Sequence, residues 1–364
     1  MNLQEARAQF QADKPMLAAR GVVLPGVDRY LTPAEKADFR IAMDAIPGLA
    51  TDPSSAIPAI LTTAIDPQVI HVVFSPLAFG KILGEQKRGD WLEETRMFPV
   101  VEMTGEVSSY GDFNNNGRAG INMNWPQFQS YLFQTFVRYG ERELERAGLG
   151  KINYVSELDI AAASLLNRFQ NLTYAFGVQT LQNYGIINNP YLSAYLTPAT
   201  KAAGGTAWFT AGGSPNATAN EVYNDVVALW QQVIAQTQGA VDMNQKATLA
   251  LSPQSALATK FANSFGVYVS ELLKTGFPNM KVEQAPQYGT QTATNPQGAS
   301  TAGNVVQLIL DDVDGQQVAY AAFNEKLRAH KIIPEPSAWQ QKKTSGSWGT
   351  ITRMPVGISQ MIGI

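Results

Sequence analysis

YGERELERAGLGKINYVSELDIAAASLLNRFQNLTYAFGVQTLQNYGIINNP, residues 139–190, contains one long amphipathic helix, entered through a capping signal and left through a turn rich in Gly and Asn. Ser156 and Asp159 fit the S-x-x-D/E pattern, in which a side-chain oxygen and a carboxylate satisfy backbone donors left open at a helix start. Leu158, Ala162, Leu165, Phe169, Leu172 and Phe176 recur at alternating steps of four and three, so the spacing predicts a single apolar face. Gly177 is the expected stop. At 1.5 Å per residue a helix over 156–176 is roughly 30 Å long, the dimension of a strut across a domain.

Composition narrows what surrounds that strut. The chain has 364 residues, enough for two or three domains' worth of core. It has no cysteine, which removes disulfides, thiolate nucleophiles and thiolate metal sites. No run approaches the length of a membrane span, so no membrane partner is expected. The start MNLQEARAQFQADK lacks a signal-peptide core, which gives an expectation of synthesis in a cytoplasm. Only 16% of residues are Asp, Glu, Lys or Arg, against about a quarter in ordinary soluble proteins. A surface short of charge loses little on desolvation, which suits extensive interfaces. The net charge of -3 argues against a dedicated nucleic-acid reader.

Outward from the helix, the chain changes character on both sides. Residues 1–90 are punctuated by proline too often for one long element, leaving short helices such as 33–46 and the look of an arm draped over other structure. Over 91–140 the pattern becomes extended: RMFPVVEM, the small and polar GEVSSYGD, a tip at FNNNG, then AGINMNW, which alternates as a half-buried strand should. Asn116-Gly117 is a two-residue hairpin-turn signal. A long hairpin with so little core of its own needs a partner surface, on its own chain or another. The residues expected to make that contact are Trp91, Arg96, Phe113, Arg118 and Trp125, with the arginines pairing to carboxylates and Trp125 burying apolar area near the base.

After the helix, a second one is expected over 221–238, with Asn220 as cap and Val222, Val226, Leu229 and Val233 on one face. ATLALSP and KVEQAP read as strands, SALATKFAN as a short helix, and residues 289–303 as a polar loop. NVVQLILDD and QQVAYAAFN read as a hairpin about Val313, Asp314 and Gly315, and residues 337–364 as strands closing onto an earlier sheet.

Taken in order, these parts resemble the Hong Kong 97-type capsid subunit of tailed bacteriophages. The likeness in residues is strongest over 125–190, in YGERELERAG, NYVSELDIAAASLLNRFQN and FGVQTLQNYGIINNP. The resemblance implies an α+β fold. Its parts would be an N-arm (1–90), an extended loop (91–140), a peripheral domain carrying the spine helix (141–185), a mixed αβ axial domain (186–334), and C-terminal strands returning to the peripheral domain (335–364). It implies a major capsid protein that self-assembles into hexamers and pentamers, forming the icosahedral shell around phage double-stranded DNA. That shell would form in the host bacterial cytoplasm, with portal, scaffolding and decoration proteins as further partners. Some relatives cross-link neighbours through an extended-loop lysine, but residues 88–150 contain no lysine, so a non-covalent shell is expected.

The tempting chemical sites are weak. His71 and His330 have no metal or triad spacing, and Asp311, Asp312 and Asp314 lack the downstream ligands of a calcium loop and read as a turn. Glu141, Arg142, Glu143, Glu145 and Arg146 read as a solvated helical face. No catalytic residue, cofactor or metal is expected. Two rivals remain: an encapsulin-type cellular compartment, generally built from shorter chains, and a hydrolase using scattered Asp and Glu, which needs a convergent pocket the sequence does not suggest.

Overall fold

In the computed structural model, residues 75–149, 153–210 and 212–364 are described. The expected helix at 33–46, most of the expected N-arm and His71 lie outside the described residues. Two four-stranded sheets and a long helix organise the rest. The first sheet runs β1 (Glu85–Lys87), β14 (Ala319–Glu335), β15 (Ala338–Thr352), β6 (Tyr131–Gly140). Only β1 is parallel to its neighbour there. The second runs β10 (Met280–Gln284), β9 (Ala247–Leu251), β11 (Val305–Leu310), β16 (Ile358–Ile362), with β10 and β9 parallel and β11 antiparallel to β9 and β16. Helices α1 (Phe79–Leu83), α2 (Glu141–Leu149), α3 (Tyr154–Phe176), α4 (Ala219–Gln236), α5 (Pro253–Ala256) and α6 (Val269–Gly276) complete the frame. Among the described residues, no helix is long and apolar enough to cross a membrane.

The long helix of the sequence is α3, but it starts earlier than Ser156, and the face it buries overlaps the expected stripe only in part, at Ala162 and Phe176. Asn153 is its cap, with Oδ1 accepting from the Ser156 amide at 3.5 Å. Ser156 is thereby inside the first turn, and Asp159 pairs instead with Lys343 on β15 at 2.6 Å. The stop is Gly177, at φ +66°, where a Cβ would fall 2.1 Å from the Asn183 carbonyl oxygen.

The buried residues are Ala162, Leu166, Arg168, Gln170, Asn171, Thr173, Tyr174 and Ala175, whereas Leu165 and Phe169 of the expected stripe are 48% and 39% exposed. The reason lies in β15, whose TSGSWGT stretch presents small polar side chains to the helix. Thr173 Oγ1 sits 2.7 Å from both Ser347 Oγ and the Gln170 carbonyl, and Thr350 Oγ1 donates to the Tyr174 carbonyl at 2.8 Å. Asn171 Oδ1 accepts from the Phe79 amide. A helix seated on hydrogen bonds buries polar residues that a hydrophobicity pattern assigns to solvent.

The second helix holds closer to its reading. Val222, Val226, Leu229 and Val233 are buried as spaced, although the cap is Thr218 and not Asn220. Thr218 and Glu221 form a reciprocal capping box at 2.7 and 3.4 Å. Donation from the Thr218 and Ala202 amides holds the Glu221 carboxyl below its ordinary value. Behind this helix, the buried Lys201 ammonium meets Asp225 Oδ2 at 2.5 Å and the Trp208 indole N–H reaches the same oxygen at 2.7 Å, pinning the preceding loop to α4.

The expected hairpin about Val313 is corrected in part. A tight turn forms at Asp314 (φ +50°) and Gly315 (φ +72°) between β12 (Asp312–Val313) and β13 (Gln316–Gln317). The longer strands on either side do not pair with each other. β11, buried along its whole length, sits between β9 and β16, while β14 joins the other sheet, so the turn passes the chain from one sheet to the next. The C-terminal segment divides likewise, β15 joining β14 and β6, and β16 joining β11.

The inward face of α3 gives a direct test in the free subunit. Leu166→Ala is expected to cost about 2–5 kcal/mol of unfolding free energy, and Leu165→Ala under about 1 kcal/mol, measured by urea denaturation. Equal costs would restore the face read from the sequence.

Candidate inter-subunit surface

Between β1 and β6 the chain leaves the body as a ribbon. Its foot is the pair β2 (Thr95–Met97) and β5 (Gln127–Gln129); its shaft is the antiparallel pair β3 (Val100–Glu106) and β4 (Arg118–Asn124). A further small pair, β7 (Gly177–Val178) with β8 (Asn183–Tyr184), lies at the end of α3 and braces the foot through Asn183, whose Nδ2 donates to the Gln129 and Ser347 carbonyls.

The foot is locked to the body. Phe128, Tyr320, Ala322, Trp348 and Ile351 form a separate buried cluster, with Phe98 edge-on to Phe128 at 5.6 Å. Tyr320 carries the guanidinium groups of Arg88 and Arg353, each 5.3 Å from its ring. The Trp348 indole donates to the Arg88 carbonyl at 2.8 Å, closing the box. Buried aromatic packing, with cation–π contacts from the partly buried Arg88 and the exposed Arg353 at its edge, ties the base of the ribbon to the body.

The shaft has no such support among the described residues, and every residue of β3 and β4 is exposed. Cross-strand register sorts its side chains into two faces. Val101 stands opposite Met123, Met103 opposite Ile121, and Gly105 opposite Ala119, making one face wholly apolar. The other carries Val100, Glu102, Thr104 and Glu106 opposite Asn124, Asn122, Gly120 and Arg118, with Asn122 donating to Glu102 at 3.3 Å. Met103 is 90% exposed and Ile121 62%. Full burial of each large apolar side chain stabilises by about 1.5–3 kcal/mol, and a lone two-stranded ribbon is marginal in water. The strand-like alternation read in AGINMNW is therefore present, but the described residues leave both faces of the strand exposed. Glycine is required at position 105, since a Cβ on Gly105 would fall 2.6 Å from the Arg118 carbonyl oxygen.

The tip differs from the expected two-residue Asn116-Gly117 turn. Residues 107–117 form a loop with its own hydrogen bonds: Ser108 Oγ donates to the Asn116 carbonyl, Asn114 Nδ2 to the Ser109 carbonyl, and the Asn116 amide to Asn114 Oδ1. Gly117, at φ +91°, begins the return into β4. The loop holds Val107, Tyr110 and Phe113 almost completely exposed.

Of the residues named from sequence, Phe113 and Arg118 lie at the outer end of the ribbon and Trp125, half-exposed, where the shaft meets the foot. The other two are engaged by their own chain. Arg96 pairs with Glu93 at 3.5 Å, and Trp91 lies under the Arg328 guanidinium at 5.1 Å, edge-on to His330. Val101, Met103, Ile121 and Met123 were not singled out; the signal for them was period-two alternation on two strands that face each other. The mixed-charge run on α2 is exposed, as read, beside the Arg138–Glu335 ion pair at 2.6 Å. Among the described residues, no group of Asp, Glu and His is placed to hold a metal ion.

A long helix laid on a sheet, a second mixed sheet, and a ribbon whose shaft is exposed throughout among the described residues define a shell subunit of the Hong Kong 97-type fold. Solved capsids agree. The chain matches the capsid of Myoviridae phage XM1 with a TM-score of 0.68 at 15% identity, over 85% of this chain and 100% of that one. It matches the capsid of an empty GTA particle at 0.56 and 12%, over 86% and 98%. It matches Mycobacterium phage Ogopogo at 0.52 and 9%, over 85% and 99%. The family described as Pa193 gp26 major capsid protein matches residues 48–363, and the chain belongs to it. That membership favours a tailed-phage virion shell over the encapsulin-type compartment. A comparison with curated protein sequences gives no match.

A locked foot and an unsupported shaft differ measurably in the free subunit. Trp348→Phe, which leaves the Arg88 carbonyl unpaired, is expected to cost about 1–3 kcal/mol by thermal or chemical unfolding. Met103→Ala is expected to change stability by less than about 0.5 kcal/mol.

Proposed function

We propose that copies of this chain close into hexamers and pentamers of an icosahedral shell around double-stranded DNA, each laying its ribbon across a neighbour. The observation that carries this reading is the apolar ribbon face, which no part of its own chain covers among the described residues. Low overall charge supports it, because the body can bury large areas without desolvating many ions. The division into N-arm, extended loop, peripheral domain, axial domain and returning C-terminal strands is part of the same reading. So are assembly in the host cytoplasm and the portal, scaffolding and decoration partners. The role is structural and not catalytic. With no lysine across residues 88–150, the ribbon has no amine to offer a cross-link, and the shell is held by non-covalent contacts.

Phe113 and Arg118 belong to the contact in this reading, as do Val101, Met103, Ile121 and Met123 on the apolar face. Arg96 and Trp91 set the departure of the ribbon through Glu93 and Arg328, and Trp125 covers apolar area where shaft meets foot.

Replacing residues 107–117 by a short Gly-Ser turn is expected to leave the subunit folded, since the tip adds nothing to either buried cluster. Shell yield by negative-stain microscopy should fall sharply. Normal particles from a folded variant would remove the tip from the contact, and loss of folding by circular dichroism would place it in the subunit core.

A further inference from the structure

The apolar ribbon face is built in large part from methionine. Met103 and Met123 lie on the same face of adjacent strands, one register step apart, with Met103 almost fully exposed and Met123 half-exposed. Of the other methionines among the described residues, Met97 is half-exposed on the foot, Met280 and Met354 are partly buried, Met361 is buried in the main core, and Met243 is half-exposed far in sequence from the ribbon. Thioethers give this surface adaptability, because an unbranched, polarisable side chain repacks against partners of different shape. They also give it a chemical liability that Leu or Ile would lack.

We propose that Met103 and Met123 form an oxidation-sensitive modification site that controls whether a free subunit can join a shell. The proposal rests on the reading of this face as an inter-subunit contact. The oxidant is a peroxide. The thioether sulfur attacks one peroxide oxygen, the S–O bond forms as the O–O bond breaks, and the other oxygen leaves as water; sulfur is oxidised and peroxide reduced. The product carries a polar S=O group in the middle of a face whose cross-strand neighbours, Val101 and Ile121, offer no hydrogen-bond donor from their side chains. Burying that oxygen against a second apolar surface leaves it unpaired, so the oxidised ribbon is rejected. Once the face is covered in a shell, peroxide no longer reaches it.

The test uses the full chain. Unassembled subunits are partly oxidised with hydrogen peroxide, quenched and allowed to assemble; particles and leftover subunits are then separated and mapped by peptide mass spectrometry for the gain of about 16 Da per sulfoxide. Sulfoxide at Met103 and Met123 should be depleted in particles on the order of tenfold relative to leftover subunits. Sulfoxide at Met243 should be equal in both. The double variant Met103→Leu with Met123→Leu should keep its shell yield after peroxide, while Met243→Leu stays sensitive. Equal sulfoxide at Met103 and Met123 in the two fractions would overturn the proposal, as would a double Leu variant that assembles untreated yet is equally inhibited by peroxide. Met103→Asp separates the two levels of inference. If it assembles normally, the contact reading itself falls; if it fails to assemble while sulfoxide-bearing protein assembles, only the oxidation proposal falls.

Discussion

A two-stranded ribbon with one apolar face cannot bury that face by itself. Among the described residues it has no third strand, and every residue of its shaft is exposed. The described chain leaves Val101, Met103, Ile121 and Met123 in water, an arrangement that a monomeric fold has no reason to keep. The rest of the architecture serves this one unmet requirement. The foot is clamped by Tyr320, Trp348 and two guanidinium groups, so the exposed face is presented at a fixed angle and does not collapse onto the body.

The strut behind the foot obtains rigidity from a different source. Helix α3 meets β15 through Thr173, Ser347, Thr350 and the Asp159–Lys343 pair, and β6 of the same sheet through Phe169 against Phe133. Directional hydrogen bonds in a buried setting fix the rotation of the helix about its own axis more tightly than an apolar seam would. The second sheet and α4 form an apolar core of the ordinary kind, with the buried Lys201–Asp225–Trp208 group as its one charged anchor among the described residues.

How much of this could be read from the residues depends on which force set each element. The existence of α3, its stop at Gly177 and the inward face of α4 were legible because period and helix-ending chemistry decide them locally. The inward face of α3 was not, because Gln170, Asn171 and Thr173 are buried by partners on β15 that lie far away in sequence. The turn at Asp314-Gly315 was legible, but the pairing of β11 was not, since neither of its neighbouring strands adjoins it in the chain. On the ribbon, alternation gave the strands. Of the residues chosen by size and charge, Trp91 and Arg96 are engaged by their own chain, while the apolar face of Val101, Met103, Ile121 and Met123 comes together only through the register of two strands.

The central claim, that the apolar ribbon face is covered by another copy, is tested most directly by amide hydrogen exchange on residues 100–106 and 118–124, compared between free subunits and assembled shells. A solvated two-stranded ladder opens readily, so these amides should exchange fast in the free subunit and slow by on the order of tenfold or more in the shell, while β9 and β11 change little. Unchanged exchange over the ribbon in intact shells would contradict the account.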